Sequence, residues 1–141
     1  MSNKGSYEPM DISGDAGIRA VGKDLKEVFI NAALGMYSLI TDIALVEEKK
    51  EMSVTVTSSS SDGLLVAWLN ELIFQFDTYG FTGKGISINE LNGNRVNATV
   101  RGEDFDPGRH EKGLLIKAAT YHNLKIEKKD GLWSAEIVFD I

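Results

Sequence analysis

Apolar and polar residues alternate along this chain in two rhythms, and the rhythms divide it into helices and strands. Leu25, Val28, Phe29, Ala32, Ala33, Met36 and Ile40 recur at three- and four-residue spacing, which puts them on one helical face. Asp24-Leu25-Lys26-Glu27 has the spacing of a capping box and marks the start of that helix. Leu64, Leu65, Trp68, Leu69, Leu72, Ile73 and Phe76 form a second stripe. The polar run Ser58-Ser59-Ser60-Ser61-Asp62 before it can supply the cap. Within these stripes Met36 reads as a gap-filler and Trp68 as a core anchor.

Elsewhere the period is two. Asp15-Ala16-Gly17-Ile18-Arg19-Ala20-Val21-Gly22 alternates weakly and ends on glycine, whereas Ser53-Val54-Thr55-Val56-Thr57 alternates strictly. Ile86 and Ile88, then Val96, Ala98 and Val100, alternate with polar neighbours, and Asn92-Gly93 between them signals a hairpin. A segment around Thr120–Glu127 is expected to be extended. Asp130-Gly131 then turns it into a last strand whose Trp133, Ala135, Ile137 and Phe139 share a face. Residues 1–6 are expected to fray. Residues 7–141 show no repeat, linker or shift of composition, and so predict one domain. Strands interleaved with two long helices predict an α+β fold, a two-layer sandwich with both helices packed on one side of a mixed β-sheet.

Composition narrows the function classes. With 141 residues, 43% hydrophobic and 26% charged, the chain can bury a core without covalent staples. It has no cysteine, which excludes disulfides, thiolate metal sites and cysteine nucleophiles. The opening residues lack the apolar stretch of a signal peptide and no segment has the length of a membrane span, so a cytoplasmic protein is expected. The net charge of −6 argues against strong direct binding of nucleic acid. Lys125, Lys128 and Lys129 are diluted by Glu127 and Asp130 and read as a solvated hairpin end.

Few residues carry recognisable chemistry. Gly80-Phe81-Thr82-Gly83-Lys84-Gly85 is glycine-rich but lacks phosphate-loop spacing and precedes a strand, so a flexible loop is expected. His110, in a polar loop, is expected at the surface, and His122 as a hydrogen-bonded structural residue. No zinc-protease helix or nucleophile elbow is present. At the chain's end Asp140 points away from the Phe139 face, and the next residue, Ile141, carries the α-carboxylate. Neighbouring carboxylates repel unless solvent or a cation screens them, and hard cations prefer clustered oxygens. On spacing alone a solvated end is the simpler reading. Asp15, ahead of Gly17, reads as a turn residue.

Order and spacing across nearly the whole chain add a family resemblance. Asp15, Gly17-Ile18, Ala20, Gly22, Leu25, Glu27, Phe29, Asn31-Ala32-Ala33, Met36 and Thr41-Asp42 are followed by Leu64-Leu65, Trp68-Leu69-Asn70-Glu71-Leu72 and Gly102-Glu103. His110, Ile116-Lys117-Ala118-Ala119-Thr120-Tyr121-His122 and a terminal Phe139-Asp140-Ile141 complete the pattern. From about Tyr7 onward the chain resembles the archease family. The resemblance implies a metal site formed by Asp15, Asp140 and the carboxylate of Ile141, with Glu103 and Lys117 as partner contacts. It also implies a role as accessory to the manganese- and GTP-dependent tRNA-splicing RNA ligase, promoting its guanylylation and repeated turnover, without catalysis of its own. Oxygen-only ligands favour Ca²⁺, with Mg²⁺ or Mn²⁺ as alternatives, over zinc. One departure stands out. The family usually has His-Thr-Ala-Asp where this chain has Ile12-Ser13-Gly14-Asp15, so a histidine is missing. Two other functions compete: a small metal-dependent hydrolase using Asp15 and Asp140 with Glu103 as general base, and a chaperone-like interaction module.

Overall fold

A computed structural model describes residues 7–141, so the expectation of a frayed segment at 1–6 lies outside the described residues. The elements run β1 (Tyr7–Ile12), β2 (Asp15–Gly22), α1 (Leu25–Ile40), β3 (Lys50–Thr57), α2 (Ser61–Tyr79), β4 (Phe81–Leu91), β5 (Arg95–Asp104), β6 (Ala118–Ala119), β7 (Lys125–Lys129) and β8 (Leu132–Asp140). A single 3₁₀ turn, Ile43–Leu45, follows α1. The α+β class and the two long helices hold. The strands, expected in one mixed sheet, are divided between a five-stranded and a three-stranded sheet, and the ladders of the described residues are antiparallel.

In the larger sheet β8 is central. It pairs with β2 along one edge, while β7 and β6 share the other, and β1 covers the outer edge of β2. In the smaller sheet β5 lies between β3 and β4. Each helix packs against both sheets, α1 on β1, β2, β8 and β4, and α2 on β3, β4, β5 and β6. Core residues therefore come from every layer. Ile18 and Ala20, then Ala135, Ile137 and Phe139, face α1, and Val96, Ala98 and Val100 close the core from β5. Trp68 is fully buried and its indole N–H donates to the Phe29 carbonyl at 3.0 Å, tying α2 to α1.

Local chemistry sets the element boundaries. Asp24 caps α1 by accepting from the Glu27 N–H at 2.9 Å, while the Glu27 carboxylate accepts from the N–H of Lys23 at 3.0 Å. Ser60 caps α2 by accepting from the Gly63 N–H, and Gly80 ends it at φ 75°. Asp130 and Gly131, at φ 55° and 78°, make the tight turn between β7 and β8.

Two local expectations are corrected, and one strand was not foreseen. The segment Gly80–Gly85 is no flexible loop, because Phe81 onward is β4. Its glycines serve packing: a Cβ at Gly83 would meet Val100 Cγ1 at 2.6 Å and the Tyr37 ring at 2.8 Å. The segment Thr120–Glu127 is not continuously extended, since Asn123 at φ 52° turns the chain between β6 and β7. In addition, β1 has no counterpart in the sequence reading, because alternation over Tyr7–Ile12 is too weak to announce a strand.

Candidate functional site

The β1–β2 hairpin and the β2–β8 ladder end at the same edge of the larger sheet. Ser13 and Gly14, the latter at φ 80°, form the turn, so Ile12 pairs with Asp15. On the other side of β2, Ala16 pairs with Phe139. One step further out along this register, Asp15 stands beside Asp140. Ala118 of β6 then pairs with Asp140 from the far edge of β8. The result is a row across four strands, Ile12, Asp15, Asp140, Ala118. Residues directly opposite in antiparallel strands share a face, so both aspartates project on the side away from the Ile18 and Phe139 core face. Asp15 is half-buried, Asp140 and Ile141 are exposed. Neither aspartate forms an ion pair among the described residues.

Lys117 reaches the same place by a long route. After β5 the chain runs from Phe105 to Lys117 without regular structure, yet it is anchored throughout. The Gly113 and Leu114 N–H groups donate to the carbonyls of Ile40 and Leu39, both at 2.8 Å. Those are terminal carbonyls of α1, which have no partner within the helix. The Thr41 hydroxyl donates to the Glu111 carbonyl, Ile116 is buried, and the Lys117 N–H donates to the Asp140 carbonyl at 2.8 Å. This strap leaves the Lys117 side chain exposed beside the chain's end.

A second polar cluster lies at the root of the strap. Glu103 is 5% exposed and His110 is 4% exposed. The Glu103 carboxylate accepts from the Glu47 N–H at 2.6 Å, from the Arg109 guanidinium, and from His110 Nε2 at 3.1 Å, with Lys49 Nζ at 3.7 Å. The Asp106 N–H donates to His110 Nδ1 at 2.8 Å, so the ring proton belongs on Nε2. Arg109 first, and then these other donors against the opposing effect of burial, hold the Glu103 carboxyl well below the ordinary carboxylate range, at about 2. The Arg109 guanidinium also donates to the Leu45 carbonyl, so the cluster joins the strap to the turn after α1.

These placements revise several expectations. The histidines exchange roles: His110, expected at the surface, is buried against Glu103, while His122, expected as structural, is exposed in a turn. Glu103, expected to touch a partner, is occupied by internal donors. As a general base it is equally unsuited, because a carboxylate of such low pKa takes up a proton poorly at neutral pH. The hydrolase reading thereby loses its base. Nothing in the spacing of Glu103, Arg109 and His110 announces their cluster, since it depends on a strap that folds back on β5. A small apolar cavity of about 230 Å³ between Leu25, Phe29, Leu64, Ile126 and Trp133 lies at the opposite end of the β2–β8 ladder and takes no part in the site.

As a donor set, Asp15 and Asp140 offer two carboxylates on one face at the end of the β2–β8 ladder. No group of three His, Cys, Asp or Glu side chains suited to a metal gathers among the described residues. Two carboxylates are fewer side-chain ligands than a closed cation site needs, so an ion here would have to take most of its oxygens from the main chain or water. No helix of the described residues is long and apolar enough to cross a membrane.

Comparison with known proteins gives a consistent result. Residues 7–141 match the archease protein family. The chain is 40% identical over 138 residues to the protein archease of Methanothermobacter thermautotrophicus, covering 96% of this chain and 98% of that one. It is 33% identical to the protein archease of Methanopyrus kandleri, covering 96% and 99%. Among solved structures, the solution structure of a Methanobacterium thermoautotrophicum protein superimposes with a TM-score of 0.82 at 40% identity, covering 96% and 99%. The crystal structure of a Thermotoga maritima archease, described as a possible chaperone, superimposes with a TM-score of 0.67 at 21% identity and supports the fold.

Proposed function

Because this chain belongs to the archease family, we propose that it is a metal-binding accessory protein that activates the tRNA-splicing RNA ligase. In this reading it promotes guanylylation of the ligase and lets it turn over repeatedly in tRNA splicing and RNA repair, in the cytoplasm, and performs no reaction alone. The observation that carries the reading is the register that sets Asp15 beside Asp140 at the end of β8. Two carboxylates so placed, with no basic partner among the described residues, favour a cation between them.

Asp15, Asp140 and the Ile141 carboxylate would hold the ion, with Ca²⁺ favoured and Mg²⁺ or Mn²⁺ as alternatives. When bound, it supplies a positive charge at an otherwise anionic edge. The protein's own residues do the rest. The Lys117 N–H fixes the carbonyl of Asp140, and therefore the position of the following residue. Ile12 stands opposite Asp15, and its side chain packs toward Gly17. The exposed ammonium of Lys117 is free to meet an anionic group of a partner.

Calorimetric titration with Ca²⁺ and Mn²⁺ tests the site. Asp15→Ala and Asp140→Ala are each expected to weaken binding by about tenfold or more, since ligand charge sets affinity for hard cations. Extension beyond Ile141 turns the carboxylate into an amide carbonyl and is expected to weaken binding as well. Wild-type affinity in all three variants would refute the site. A chaperone-like module, by contrast, would bind its partner equally well without metal.

A further inference from the structure

The tip of the β4–β5 hairpin holds the chain's single asparagine followed by glycine, Asn92-Gly93. The connection runs from Asn92 to Asn94, between Leu91 and Arg95, and neither Asn92 nor Gly93 has a positive φ. It is therefore not the tight turn whose two central residues are both left-handed. The Asn92 N–H donates to the Arg95 carbonyl at 3.0 Å, and the Asn94 N–H donates to Asn92 Oδ1 at 3.0 Å. That second bond curls the Asn92 side chain back over the Gly93 peptide. It also polarises the carboxamide, and it is aimed where negative charge develops on Oδ1 if the carbon is attacked. Both residues are exposed, and a Cβ at Gly93 would meet nothing within 4 Å. The Gly93 N–H is given to no acceptor among the described residues. A cleft of about 350 Å³, lined by Asp24, Lys26 and Ser61 as well as Asn92 and Gly93, brings water to the spot.

Other asparagines lack this combination. Asn31 and Asn70 sit in helices, with their amides given to the Val21 and Ala119 carbonyls. Asn89 and Asn97 are bonded to each other and to threonines of the sheet. We infer that Asn92 is a self-modification site, at which the folded chain converts its own carboxamide to a carboxylate through a cyclic imide. The Gly93 N–H loses its proton to hydroxide, the freed nitrogen bonds to Asn92 Cγ, and Nδ2 leaves as ammonia after taking a proton from water. A water molecule then opens the imide. Breaking the bond from the Gly93 nitrogen to Cγ leaves aspartate, and breaking its bond to the Asn92 main-chain carbonyl carbon leaves isoaspartate. The net change consumes one water and releases one ammonia, with nothing oxidised or reduced. Either product adds a negative charge to a cleft that already holds Asp24. The isoaspartate also routes the main chain through an added methylene beyond the Leu91–Val96 pair, which loosens the hairpin.

The test incubates the full chain in mildly alkaline buffer made with heavy-oxygen water and follows each asparagine by peptide mapping and mass spectrometry. Wild type is compared with Gly93→Ala, which suits the open space and the φ of this position, and with wild type unfolded in urea. The expected result is aspartate and isoaspartate at Asn92, each carrying an oxygen from water, formed faster than at any other asparagine. Gly93→Ala should slow the conversion several-fold, because a side chain hinders the attacking nitrogen. The folded chain should react at least as fast as the unfolded one. A folded rate several-fold below the unfolded rate would mean that the hairpin protects Asn92, and would overturn the inference. Equal rates in wild type and Gly93→Ala would rule out attack by the Gly93 nitrogen and overturn it too, as would an Asn92 that gains no heavy oxygen.

Discussion

Ile12 faces Asp15 across the Ser13–Gly14 turn, directly at the point where this chain departs from the His-Thr-Ala-Asp pattern of the archease family. The departure is thus adjacent to the proposed site in space as well as in sequence. A histidine at that position would share the face of Asp15 and could donate a ring N–H to its carboxylate. Groups of that kind orient metal ligands and typically change affinity tenfold or more. Ile12→His is expected to tighten Ca²⁺ binding by about tenfold, read by calorimetry. Unchanged or weaker affinity would show that the isoleucine is neutral to the site.

The strap rests on α1 at Gly113, and that contact needs the absence of a side chain. A Cβ there would meet the Ile40 carbonyl oxygen at 2.8 Å and press against that of Leu39. Gly113→Ala is expected to cost about 1–3 kcal/mol, the usual range for overpacking against structure that cannot yield. Urea unfolding measures it. The same variant should loosen Lys117 and so reduce ligase activation by more than its stability alone explains.

Glu103 gives the protein an acid-sensitive joint. Its carboxyl titrates at about 2 in the folded protein, against an ordinary value of 4.5. A lowered carboxylate pKa means that the unfolded chain binds the proton more readily. The resulting stability is fully present above the ordinary value and is lost as pH falls through the window from 4.5 to about 2. Thermal unfolding between pH 7 and pH 3 is expected to show a smaller pH dependence in Glu103→Gln than in wild type. Equal slopes would mean that the carboxylate is not held by Arg109 and His110 as described.

Much of the scaffold was readable from the chain, because helical and strand periods are local properties. Seven stripe positions from Leu64 to Phe76 appear on α2 with all but Phe76 fully buried. The final strand likewise delivers Ala135, Ile137 and Phe139 to the core. What escaped was non-local. Division into two sheets follows from pairing partners, which alternation does not specify. His110 looked like a surface residue since its neighbours Gly108, Arg109 and Glu111 are polar, and only the return of the strap to β5 buries it. Gly83 and Gly85 looked like a loop since glycine is ordinarily a turn residue, whereas here the Tyr37 ring and the Glu48 carboxylate, respectively, occupy the space of a side chain. The pairing of Asp15 with Asp140 was reached through family resemblance, because alternation does not say which distant strands lie side by side.

The most direct test of the account is the yield of joined RNA when the ligase is limiting. With the ligase at catalytic concentration in GTP and Mn²⁺, the wild-type chain is expected to raise RNA joined per ligase well above one turnover and to speed guanylylation. Asp140→Ala should leave yields near those of ligase alone, and the chain by itself should neither hydrolyse GTP nor cleave RNA. Equal yields with and without the wild-type chain, or full activation by Asp140→Ala, would contradict the account.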